Sequence, residues 1–188
     1  MRLYKFIKQE HDYQNEVFSY LELVKPKNKF RFIKSYYCES LVNLSYEDVD
    51  YVKRLILDAN LQGMIQAISV TFGISTRLIL MLRMKTFISL VRFIALELEK
   101  IHSEEEKLQV FHDEKVLMAL EMSGASMMNQ FSIYNVIDSL SKNDLEQSER
   151  LKKLPYHLIN FKATKNIVSD SVNKSFQENY QKLTQAIK

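Results

Sequence analysis

Only three glycines and two prolines occur in 188 residues, and this scarcity constrains the fold more than any other feature. A many-stranded sandwich or barrel consumes both residue types in its turns, whereas long runs free of them suit helices. With 46% hydrophobic and 26% charged residues, the chain has the apolar content to build a packed core. The expectation is an all-α, multi-helix bundle occupying residues 1–188 as a single helical domain.

Apolar spacing and capping residues place the helices. One begins at Asp12, carries Val17, Phe18, Leu21 and Val24, and ends at Lys25-Pro26. Ser45-Tyr46-Glu47-Asp48 reads as a capping box that opens a helix to about Ala59. Leu61, Met64, Ile65, Ile68 and Phe72 mark the next, which stops at Gly73, and Ser75 can cap a short helix after it.

Phe87, Leu90, Val91, Ile94, Leu98 and Ile101 form one stripe, which Ile88, Phe93 and Leu96 widen beyond a single face. A helix apolar on more than one side is surrounded by others. Residues 84–102 are therefore expected to be the buried central helix, with an exposed exit at Glu104-Glu105-Glu106 into an acidic linker over 103–115. Beyond it, Leu108 to Phe111 reads as extended, and Asp113 can cap a short helix through Leu120. From Ser126, the positions Ile133, Val136, Ile137 and Leu140 give a further helix, and Asp144 with Gln147 caps a short one that closes at Leu154-Pro155.

The C-terminal helix, about 156–187, is the longest. Leu158, Phe161, Val168, Val172, Phe176, Tyr180, Leu183 and Ile187 recur along it, mostly at steps of three, four or seven. A rod of that length is comparable with the width of the whole domain. Its apolar stripe is narrow, with Lys162, Lys165, Lys174 and Lys182 along it. The expectation is a contact surface in which Phe176, Tyr180, Leu183 and Ile187 bind a partner, basic side chains facing a molecule that also exposes the acidic 97–114 region.

Charge and cysteine content narrow the setting. The lone Cys38 can form no intramolecular disulfide, and the first residues carry no apolar signal-peptide core, which points to reducing cytoplasm. Leu78 to Leu98 is interrupted by Arg83, Lys85, Arg92 and Glu97, so it reads as a core helix and not a membrane span. The net charge of +3 is too small to imply nucleic acid by itself.

The search for chemistry yields little. Glu99-Lys100-Ile101-His102 has the Glu-x-x-His spacing that puts both side chains on one helical face, but a di-metal bundle needs two such motifs. His102, His112 and the carboxylates around them lack zinc-type spacing. Ser123-Gly124-Ala125-Ser126 lacks the strand-to-helix context of a nucleophile elbow, and no glycine-rich phosphate cradle occurs. Cys38 has no cationic neighbour in sequence and reads as an inert thiol. No catalytic residue, cofactor, metal or small-molecule substrate is expected.

The basic and aromatic connector 25–37 is the one segment with nucleic-acid character. Lys25, Lys27, Lys29 and Arg31 can contact phosphates while Phe30, Phe32, Tyr36 and Tyr37 stack on bases. A solvated linker whose aromatics turn inward accounts for the same residues. The alternation in Lys29-Phe30-Arg31-Phe32 suits a short extended segment.

Three features in order carry a resemblance. They are the helix pair ending in Val70-Thr71-Phe72-Gly73-Ile74-Ser75, the long apolar helix ending in acidic residues, and Tyr134-Asn135-Val136-Ile137-Asp138-Ser139-Leu140 followed by Leu154-Pro155-Tyr156. Over residues 40–185 the chain resembles small helical proteins encoded in the structural-gene regions of tailed bacteriophages. The resemblance implies a non-enzymatic structural or assembly role in a virion or the host cytoplasm. The partners it implies are further copies of the chain or other phage structural proteins.

Overall fold

Short-range signals decide most of the element boundaries. In the computed structural model, which describes residues 2–9, 23–31, 35–58, 60–107, 122, 132–142 and 144–186, the chain is mostly α-helical. The described residues fall into two compact units, Met1–Gln109 and Val110–Lys188.

In the first unit, helix α1 (Leu3–Phe6) precedes strands β1 (Lys29–Arg31) and β2 (Ser35–Tyr37) and a 3₁₀ turn at Leu41–Asn43. Then come α2 (Tyr46–Leu57), α3 (Leu61–Phe72), α4 (Thr76–Leu80) and α5 (Met84–Lys107). Ser45 caps α2 as expected: its hydroxyl oxygen accepts the Asp48 amide at 3.1 Å and donates to the Asp48 carboxylate at 2.6 Å. Asn60 caps α3 through the Gly63 amide at 2.7 Å. Gly73 ends α3 in the left-handed region, φ 62 and ψ 40, where a Cβ would be strained. Ser75 opens α4 with an extended backbone and makes no side-chain cap.

Helix α5 is the centre of this unit. Phe87, Leu90 and Ile94 have no exposed surface, and Ile88, Val91 and Ile101 are buried with them. It packs against α1, α3 and the 3₁₀ turn, which is why one stripe could not accommodate all its apolar residues. Instead of breaking at 102, α5 runs on to Lys107, so residues 103–107 of the expected linker are helix. Side-chain pairing accounts for the extension: Glu105 takes Lys53 from α2 at 2.6 Å, and His102 pairs with Glu106 at 3.2 Å. Residues 108–115 lie outside the described residues.

The connector is a two-stranded antiparallel hairpin in which Phe30 faces Tyr36, Lys29 faces Tyr37 and Arg31 faces Ser35. It is tied to the core, since the Lys27 amide donates to the Ser89 carbonyl in α5 at 3.0 Å. Helix α1 is anchored likewise by the Leu3 amide on the Leu82 carbonyl at 2.9 Å, with Leu3 and Phe6 fully buried. The helix expected from Asp12 falls largely outside the described residues.

The second unit holds α6 (Ser132–Ser141), α7 (Leu145–Lys152) and α8 (Tyr156–Ala186). Asp144 caps α7 by accepting the Gln147 amide at 3.1 Å. Ile137, Leu140, Leu151, Tyr156 and Ile159 are buried here. The Ser148 hydroxyl joins α7 to α6 by donating to Ser141 Oγ at 2.8 Å. The readings of residues 108–120 and the start at Ser126 lie outside the described residues.

Candidate functional site

Helix α8 keeps only its first two turns in the packed part of its unit. Tyr156 and Ile159 are buried, and from Lys165 onward every side chain the structure describes is exposed. A helix of 31 residues is about 46 Å long. Water therefore meets a line of large apolar groups: Phe161, Val168, Val172, Phe176 and Tyr180 are each between 55% and 69% exposed. Scattered exposed apolar residues are ordinary, but a contiguous row on one element marks an interaction surface.

Two of the four expected contact residues can be placed. Phe176 and Tyr180 stack one turn apart, with ring centroids at 6.2 Å and planes 21° from parallel. Leu183 lies in the helix with its side chain outside the description, and Ile187 falls beyond the described residues.

The basic connector is divided by its register. Phe30 turns inward, 8% exposed, stacking on Tyr36 at 5.0 Å and meeting Phe72 edge-on at 5.7 Å. Its aromatic surface is spent on the core. Lys25, Lys27, Lys29 and Arg31 are exposed, with Tyr37 beside Lys29 on the outer face of the hairpin. Of these four cations, Arg31 enters a concavity of about 420 Å³ with Arg2, Arg83 and Thr86, and no carboxylate is among its described lining residues. Lys5 joins Arg2 and Arg83 in an adjoining hollow. Arg2 and Arg83 oppose each other in an antiparallel bridge, a placement in which like charges repel. Sequence spacing gave no sign of this convergence, since the three arginines come from three separate segments.

A second concavity, about 410 Å³, lies between α2 and α5 and is lined by Ile56, Leu57, Ala95, Leu98, Glu99 and His102 among others. Glu99 and His102 thus do share a helical face, on the rim of an apolar groove. His102 Nε2 is paired with Glu106, and no group of three metal-ligating side chains occurs among the described residues.

Cys38 is buried beside the Glu97 carboxylate. Burial, then the charge of Glu97, pushes its thiol up to about 11, against a smaller opposing pull from a hydrogen bond to the Ser40 backbone. Burial would by itself raise the carboxyl of Glu97. Hydrogen bonds from Lys100, the Ser40 hydroxyl and the Leu41 amide outweigh that and hold it below the usual carboxylate range. Glu97 reads from sequence only as an interruption of an apolar run, and two of its partners, Ser40 and Leu41, are far away in the chain.

Among the described residues no helix is long and apolar enough to cross a membrane. No family model, curated protein or solved structure matches the chain.

Proposed function

We propose that the protein is a non-enzymatic assembly component that works through protein–protein contacts made by α8. The observation that carries this reading is the exposed row Phe161, Val168, Val172, Phe176 and Tyr180 on a helix whose buried side chains, among the described residues, lie at its start. Exposing so much contiguous apolar area to water is unfavourable by about 25 cal/mol per Å², and a partner surface removes it. The sequence resemblance to helical proteins of tailed phages supplies the setting, a particle or its assembly line.

Sedimentation velocity on the full chain tests the reading. Concentration-dependent species heavier than the 22.2 kDa chain are expected, and Phe176→Glu with Tyr180→Glu should abolish them while circular dichroism keeps its helical signal. A 22.2 kDa particle at every concentration, or association indifferent to both substitutions, overturns it.

The arginine-lined concavity favours a second reading, contact with a phosphate backbone by Arg2, Arg31 and Arg83, with Lys25, Lys27 and Lys29 exposed on the segment that leads to Arg31. Three cations converging with no carboxylate among their described neighbours suit a polyanion. Fluorescence anisotropy with labelled duplex DNA decides it. Binding that falls with salt and is lost in Arg31→Gln with Arg83→Gln supports this reading, and no binding at low salt removes it.

A further inference from the structure

We infer that the partner of α8 is the α8 of a second copy, running antiparallel, with the two-fold axis passing at Val172. This inference rests on the assembly reading above and specifies its geometry. Phe161, Val172 and Leu183 are spaced by eleven residues, as are Lys165, Phe176 and Ile187. An eleven-residue period, 3.67 residues per turn, keeps one face of a nearly straight helix aligned along its whole length and suits right-handed pairing.

The described side chains of that face are exposed. Ile159, buried in the unit, lies two residues before Phe161 and therefore about 200° around the helix. Phe161 and Val168 lie opposite Ile159, Val172 about 140° and Phe176 about 100° around from it, and all four are exposed.

The seam is symmetric in sequence about Val172. Four residues away on either side stand Val168 and Phe176, seven away Lys165 and Asn179, and eleven away Phe161 and Leu183. An antiparallel partner then sets Phe161 against Leu183, Val168 against Phe176 and Val172 against its own copy. The two polar positions, Lys165 and Asn179, fall opposite each other. A parallel partner would set Lys165 against Lys165, a like-charge contact on a desolvating seam, and Phe176 against Phe176. Both orientations keep the apolar layers apolar; the antiparallel register is favoured because it separates Lys165 from its own copy, with Lys162 and Lys182 at the edge of the seam.

The apolar area is a large part of what specific association requires. Each copy brings two phenylalanines of roughly 150–250 Å², each about two-thirds exposed. Val168 and Val172, 55% and 61% exposed, add to this and bring the pair toward the ~1,000 Å² that a specific interface requires.

Disulfide trapping in the full chain, with Cys38→Ala to remove the native thiol, tests orientation and register together. Val172→Cys should give a disulfide-linked dimer, and a mixture of Lys165→Cys and Asn179→Cys chains should link to each other and not to themselves. Val172→Glu should weaken association by more than about tenfold, and Phe176→Ser is a milder second variant should the glutamate disturb the fold. Links formed by Lys165→Cys with itself would overturn the antiparallel register while leaving helix-mediated assembly in place. A monomer at all concentrations would overturn the pairing, and association that survives both Val172→Glu and Phe176→Ser would remove α8 as the contact surface.

Discussion

The Ser40 hydroxyl donates to the carboxylate of Glu97, joining the start of the 3₁₀ turn to the middle of α5. The same oxygen, Oε2, accepts the Leu41 amide at 3.3 Å, and Lys100 takes Oε1 at 2.6 Å. Hydrogen bonds to charged groups contribute about 1.5–3 kcal/mol each, so Ser40→Ala is expected to lower unfolding stability by that amount in urea titrations.

The same site sets a pH dependence. Because the carboxyl of Glu97 is held below its ordinary range in the folded protein, its contribution is fully present above the unfolded pKa of ~4.3 and is lost as pH falls through the folded value. Glu97→Gln should therefore be less stable than the parent at neutral pH, with the gap closing below about pH 4. A gap that stays constant down to strongly acidic pH would contradict the assignment.

Phe87 and Ile94, both without exposed surface in α5, should be the costliest truncations in the first unit. Phe87→Ala is expected to lose about 3–5 kcal/mol and Ile94→Ala about 2–5 kcal/mol. Denaturant midpoints measured alongside an exposed control such as Leu145→Ala, at a position 83% exposed, check the contrast.

Gly63 permits α3 to approach α2. A Cβ at this position would overlap the Leu55 carbonyl oxygen, closer than real Cβ atoms come. Backbone has to move to admit it, so Gly63→Ala should destabilise by about 1–3 kcal/mol despite alanine's higher helix propensity. A stabilised variant would show that the two helices separate freely.

Cys38 should resist alkylation until the protein unfolds. It is 6% exposed, with its thiol pushed up to about 11, so at pH 8 the thiolate fraction is on the order of 10⁻³. Labelling with a maleimide should be slow in buffer and fast in denaturant, and rapid stoichiometric labelling of the native chain would contradict the burial.

Helix identity was legible wherever the determinants are local. Ser45, Gly73 and Asp144 act on amides and dihedrals within a few residues, and the period of Phe87, Leu90 and Ile94 belongs to one helix, so the caps and the central helix could be placed from spacing alone. The end of α5 was not legible, because Lys53 on another helix stabilises the turn around Glu105. Nor was the direction of Phe30, whose alternation with Lys29 and Arg31 suits a stacked base as well as the core. Only Tyr36 and Phe72, brought alongside by folding, decide that it turns inward. The convergence of Arg2, Arg31 and Arg83, and the clasp of Ser40 on Glu97, arise from chain segments tens of residues apart, and no periodicity encodes such distances. Sequence by itself determined the capped starts of α2 and α7, the end of α3 at Gly73 and the order of the stripe on α8. Tertiary structure decided which faces those helices bury, because burial depends on what packs against a face and not on the face alone.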